Sequence, residues 1–182
     1  MAAPPDPRTP DSQTHDGVPE SGPADPHPLA VRVRGKNINE KTLLATDYLN
    51  HFNEIIMLLE MVPGAPEFLA DCKEWAPKTY AEHFRDSAFA EKELAVLAYG
   101  HAPPPFRRRF DTAIDRMNAF VAEAMAKIEE AIADGDQARV GEVVGAAACT
   151  LRSYVDVVSA IIHGDARTVD QAEVDEIFRR DT

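Results

Sequence analysis

Cysteine is scarce in this chain: only Cys72 and Cys149 occur among 182 residues, and they form no Cys-x-x-Cys pair. That spacing excludes a disulfide framework and a zinc-thiolate site, and it fits a protein of the reducing cytoplasm. Long apolar runs are missing as well. No window approaches eighteen uninterrupted apolar residues, and no charged start is followed by an apolar core, so neither a membrane span nor a secretory signal is expected. Gly-x-Gly-x-x-Gly, the phosphate-binding loop and His-Glu-x-x-His do not occur, which leaves nucleotide binding and zinc hydrolysis without support. A carboxylate-bridged di-iron bundle needs a Glu three residues before a ligating His. The residues three before His51, His83, His101 and His163 are Tyr48, Tyr80, Ala98 and Ala160, so that centre is excluded too. Positive charge is in deficit, with 19 Lys plus Arg against 31 Asp plus Glu and a net charge of −12. Nucleic acid and anionic membranes would be repelled on average, and no cofactor is implied.

Proline is abundant but unevenly placed. Eight of the 14 prolines fall within the first 28 residues, interleaved with Asp, Ser, Gly and Thr and almost without large apolar side chains. Such a stretch cannot offset an ordering entropy of roughly 1–2 kcal/mol per residue. Residues 1–35 are therefore expected to be a disordered tail, 36–164 a helical domain, and 165–182 a short amphipathic C-terminal helix. The fold class expected is all-α: a four-helix-like bundle with extra short helices.

Apolar periodicity supports that class. Leu44, Tyr48, Phe52, Ile55, Ile56, Leu59 and Val62 recur at helical steps, which predicts one helix of about 24 residues from an Asn37–Glu40 capping box to Pro63-Gly64. Pro66 and Pro77 bracket a short helix containing Trp75, a packing anchor. Residues 78–101 read as one or two short helices with Tyr80, Phe84, Phe89, Leu94, Leu97 and Ala98 inward and Gly100 as a C-cap. After Pro103-Pro104-Pro105, Phe110, Ile114, Met117, Val121, Ala124, Ile128 and Ala131 alternate in steps of four and three, the seam of a bundle. Asp134-Gly135-Asp136 then predicts a tight reversal into a last helix over 137–163. That helix is apolar on more than one face, which makes it the central element, with Cys149 in the core.

Three polar groupings are candidate sites. Asp47, His51 and Glu54 are spaced four and three, as one solvated face of the first helix; His51 with Glu54 is the only metal half-site the spacing offers. Arg107, Arg108 and Arg109 oppose the dipole of the helix they begin, so they call for a compensating anion, either Glu91 and Glu93 or an acidic partner surface. Asp115 and Asn118 lie three apart beside the seam.

The C-terminal stretch Gln171-Ala172-Glu173-Val174-Asp175-Glu176-Ile177-Phe178 resembles the short acidic-apolar peptides by which bacterial flagellar motor switch proteins, and the chemotaxis phosphatase at its C-terminus, bind a phosphorylated response regulator. The resemblance covers about ten residues. It implies that Val174, Ile177 and Phe178 anchor in a partner's groove while Asp175 and Glu176 meet a basic rim. The phosphatase's Asp-x-x-x-Gln catalytic pair is absent and the linker before the peptide is shorter, so its activity does not carry over with the peptide. A different phosphatase class places an acid and an Asn three apart on a helix, the spacing of Asp115 and Asn118, where they would orient a water. The expected function is thus a non-enzymatic regulatory or adaptor protein whose partner is another protein, a response regulator on this resemblance, or a second copy of the chain. A response-regulator phosphatase and a small-ligand or metal-binding bundle are the alternatives.

Overall fold

A computed structural model describes residues 28–165, and these form an all-α bundle of seven α-helices. In chain order they are α1 (Pro28–Val33), α2 (Asn50–Met61), α3 (Phe68–Glu74), α4 (Tyr80–Asp86), α5 (Lys92–Gly100), α6 (Pro104–Ala133) and α7 (Gln137–His163), with a 3₁₀ turn over Thr46–Leu49 before α2. Residues 1–27 and 166–182 lie outside the described part, and so do most of the expected tail and all but the first residue of the expected C-terminal helix.

The α6–α7 hairpin matches its sequence pattern closely. Every seam residue of α6 is buried: Phe110, Ile114, Met117, Val121, Ala124, Ile128 and Ala131. Pro104 and Pro105 occupy the first helical turn, where a missing N–H leaves no bond unmade. Gly135 takes φ 71°, and the Asp136 carboxylate accepts the Arg139 backbone N–H at 3.0 Å, so the reversal is made by one left-handed residue and one N-cap. α7 runs back along α6 and packs against α2 on its other side. Its length and composition would let it cross a membrane, but Leu151, Tyr154, Val158 and Ile162 are among the residues it buries against its neighbours, as a core helix does. Arg152 also reaches Glu60 of α2 with two hydrogen bonds of 2.6 and 2.8 Å; this pair is exposed and screened by solvent, so it adds little to stability.

Several expectations need correction. Residues 28–35 do not belong to a disordered tail: Leu29, Ala30 and Val33 are buried and α1 packs against α5. Proline density had masked a six-residue apolar segment. Nor does a single helix span 37–62. Asn37 and Leu43 adopt φ of 56° and 60°, Ile38 forms an antiparallel bridge with Ala45, and the helix starts only at Asn50. Leu43, Leu44 and Ala45 are all fully buried, which neither an amphipathic helix nor a half-exposed strand allows for three consecutive residues; the left-handed Leu43 turns the chain so that they can be. The expected capping box is absent. Asn39, not Asn37, accepts the backbone N–H groups of Lys41 and Thr42, and Glu40 instead binds Arg34 at 3.1 Å.

The other corrections concern α5 and α7. Leu97 is 41% exposed, and Gly100 ends α5 without a positive φ. Cys149 is exposed because α7 turns Gly145, Ala146 and Cys149 away from both partners. This has a measurable consequence. Leu151→Ala, in the covered face, should lower unfolding free energy by about 2–5 kcal/mol, whereas Cys149→Ser should stay within about 0.5 kcal/mol. Urea denaturation of the two variants checks both; a large loss for Cys149→Ser would return that residue to the core.

Candidate functional site

The polar residues singled out on the first helix do not stay together. Asp47 sits in the 3₁₀ turn, with about 3.0 residues per turn, while His51 and Glu54 lie in α2, so the four-residue step does not project one face. Asp47 and Asn50 line a recess of about 590 Å³ together with His83. Glu54 is exposed, and His51 points inward, only 4% exposed. Its ring stacks on Trp75 at 4.5 Å, and the Trp75 indole N–H donates to the His51 carbonyl at 3.0 Å. The His83 ring centroid is 6.1 Å away. Among the described residues no three His, Cys, Asp or Glu side chains are grouped to hold a metal, and of the pair His51 and Glu54 the first is buried and the second exposed. The expectation of a solvated face is overturned for His51.

Burial, reinforced by neighbouring His83 and Lys78 and opposed by a bond to the Ala76 backbone, pulls the His51 pKa down to about 4. His83 is also lowered, chiefly by burial. Both imidazoles are therefore neutral near pH 7. Cys72 is buried, its thiol pushed up to about 11 by desolvation and then by Asp71, so it is not an activated nucleophile.

A second set of predicted residues does converge. Asp115 and Asn118 share a groove of about 250 Å³ between α6 and the segment running into α4, with walls from Tyr48, Tyr80, Tyr99, Phe110 and Ile114 and a rim from Lys78, Thr79 and Asp111. Asp115 is exposed; the Asn118 side-chain oxygen is enclosed and makes no hydrogen bond among the described residues. Behind the groove the aromatics form a ladder. Tyr48 stacks on Tyr80 at 5.3 Å, Tyr80 on Tyr99 at 4.4 Å, and the Arg107 guanidinium lies 4.5 Å over Tyr99. Each phenol has a fixed partner: Tyr48 donates to the Lys78 carbonyl at 2.7 Å, Tyr80 accepts from the Ala45 N–H at 2.8 Å, and Tyr99 donates to Asp111 at 2.7 Å. Burial raises all three phenol pKa values, that of Tyr99 to about 12 with Asp111 adding to the shift. They remain neutral, and they hold the groove rigid rather than titrate in it.

The Arg107 ladder also answers the dipole problem at the start of α6, though not as expected. Glu91 pairs with Lys36 at 2.8 Å. Arg107 is met instead by Asp111 one turn along, at 3.7 Å, and by the Tyr99 face. Arg108 is exposed and Arg109 half-buried, and neither forms an ion pair among the described residues. In the sequence Tyr48 and Tyr80 read as plain core, and Tyr99, Lys78 and Thr79 did not stand out. Only Thr79-x-x-Glu82 carried a local signal, the capping box that starts α4. The anchors Val174, Ile177 and Phe178, with Asp175 and Glu176, lie outside the described residues. Set against models of known protein families, curated proteins and solved structures, the chain matches none.

His51 supplies a sharp test of this packing. Its folded pKa is depressed, so between about pH 6.5 and about 4 the unfolded chain binds the extra proton and stability falls as pH falls. Going from pH 7 to pH 5 should remove about 2 kcal/mol of unfolding free energy. His51→Phe, which keeps a ring against Trp75, should flatten most of that slope; an unchanged slope would place the proton uptake elsewhere.

Proposed function

We propose that this protein is a non-enzymatic regulatory or adaptor module that engages another protein through its C-terminal segment, with Val174, Ile177 and Phe178 as anchors. One observation supports the reading: the end of α7 is capped by described residues, before that segment begins in the sequence. Gly164 takes the left-handed conformation, φ 72°, that ends a helix, and the Asp165 N–H donates to the Ala160 carbonyl at 3.1 Å. The Thr42 hydroxyl donates to the Ile162 carbonyl, and the Lys41 ammonium donates to the Gly164 carbonyl at 3.0 Å. The Ala160, Ile161 and Ile162 carbonyls at the end of α7 are thus met by described residues. A sequence that interleaves Val174, Ile177 and Phe178 with acids suits helix-in-groove recognition.

The partner class on the peptide's resemblance is a chemotaxis-type response regulator in its phosphorylated state. A synthetic peptide of residues 166–182, titrated calorimetrically into such a receiver domain activated with beryllofluoride, should bind, and Phe178→Ala should weaken it about tenfold or more, as loss of a central anchor does. No heat of binding with either peptide would remove the response-regulator assignment.

A second reading rests on the groove. Asp115 and Asn118 face one recess, and the enclosed Asn118 oxygen, without a donor among the described residues, can accept a hydrogen bond from an incoming group. They would orient a water for attack on an aspartyl phosphate. If the chain is a phosphatase, Asn118→Ala should slow release of inorganic phosphate from a phosphorylated response regulator at least tenfold while peptide binding is retained. An unchanged rate would dispose of that site.

A further inference from the structure

We propose that the groove of Asp115 and Asn118 binds a primary organic ammonium ion, which pairs with the Asp115 carboxylate and donates an N–H to the Asn118 side-chain oxygen. The state of the polar groups around the groove leads there. The Lys78 ammonium is paired with Asp86 at 2.8 Å, and the Thr79 hydroxyl donates to Glu82 at 2.7 Å. Asp111 accepts the Tyr99 hydroxyl at 2.7 Å and meets Arg107 at 3.7 Å. The Tyr48 hydroxyl is engaged by the Lys78 carbonyl, and the Tyr80 oxygen by the Ala45 N–H. Two groups are left over. Asp115 enters no hydrogen bond or ion pair among the described residues, and the enclosed Asn118 oxygen has no donor there. One is a full negative charge and the other an acceptor, so the group that completes the groove is a cation able to donate hydrogen bonds.

The spacing lets one cation use both. Residues three apart on a helix share a face, with Cβ atoms about 5–6 Å apart, and these two line one recess. An ammonium has three N–H donors pointing in different directions, so it can bridge two acceptors at that separation, and its bond to a carboxylate is of the stronger, charge-assisted kind. A bare metal ion fits less well. It takes about four ligands or more, and among the described residues no three His, Cys, Asp or Glu side chains are grouped. An anion fits worst, because the unpaired charge is already negative and that of Lys78 is matched by Asp86. The walls set the rest of the ligand. Phe110, Ile114 and the tyrosine rings offer apolar surface, which suits a carbon stem beside the ammonium. The volume of about 250 Å³ lies below the roughly 300–1,000 Å³ of pockets for drug-sized molecules, so the occupant is a small monoamine or the end of a lysine side chain.

The test uses the full chain alone, so its failure is distinct from failure of the phosphatase reading, which is tested by phosphate release. Butylammonium chloride, titrated at constant ionic strength, should shift the backbone amide signals of residues 111–118 and reach saturation. Tetramethylammonium, a cation without an N–H, and butyrate should each bind at least tenfold more weakly. Asp115→Asn should weaken butylammonium at least tenfold, the loss expected of a charged hydrogen-bond partner, whereas Asn118→Asp, with a second carboxylate, should tighten it. Nα-acetyl-lysine methylamide carries the same ammonium and separates the two sources: tighter binding than butylammonium assigns the site to a lysine of another protein, and weaker binding assigns it to a free amine. Shifts that do not saturate, or that are the same with tetramethylammonium or in Asp115→Asn, would overturn the proposal. Comparing butylammonium with tetramethylammonium on the unsubstituted chain gives the answer even if a variant folds poorly.

Discussion

The reversal at Asp134-Gly135-Asp136 joins helices of 30 and 27 residues, and because their lengths differ by less than one turn, the end of α7 returns to the level where α6 begins. Much that is distinctive in the molecule stems from that meeting. The segment 37–45 is wedged against it, with Thr42 fully buried and bonded to the Ile162 carbonyl. Leu43 in the left-handed region is a strained residue, of order 1–3 kcal/mol. It is held there by the bond from its own N–H to Asn39 at 2.8 Å and by its complete burial. At the same junction the Lys41 ammonium lies between the Gly164 carbonyl and the Phe106 ring.

The aromatic ladder is the second organising feature, and it links elements far apart in sequence. Tyr48 comes from the 3₁₀ turn, Tyr80 from α4, Tyr99 from α5 and Arg107 from α6. Stacked rings with satisfied hydroxyls make a stiff wall, and pairs of this kind contribute about 0.5–1.5 kcal/mol each beyond their buried area. On one side of it lies the groove of Asp115 and Asn118. On another lies the His51–Trp75 pair, through the contact of Tyr48 with His83 at 5.3 Å. The groove's shape and the acid sensitivity of the core thus share one set of rings.

Much of this fold could be read from the sequence wherever structure is set by neighbours along the chain. The four-three seam of α6, the Gly135 turn and the Asp136 cap depend on local spacing and local φ, and each appears where expected. The beginning of the fold was hidden because the proline that opens α1 is counted with the tail before it. The 37–49 region was hidden because its conformation is fixed by burial against α7, a partner more than a hundred residues away. Cys149 was misplaced for a related reason: α7 is apolar around most of its circumference, and composition does not say which faces its neighbours cover. For the site, the spacing of Asp115 and Asn118 was visible, but the tyrosines that wall their groove were not, since they converge only through tertiary packing.

The end of α7 is capped by described residues, and every functional role proposed for the C-terminal segment requires that residues 28–165 fold without it. Urea unfolding of the chain ended after Asp165, set beside the full chain, addresses it directly. The closed capping of α7 predicts unfolding free energies equal to within about 0.5 kcal/mol and the same dependence on urea. A loss of several kcal/mol on truncation, or a shallower urea dependence, would show that the segment completes the core and would contradict that requirement.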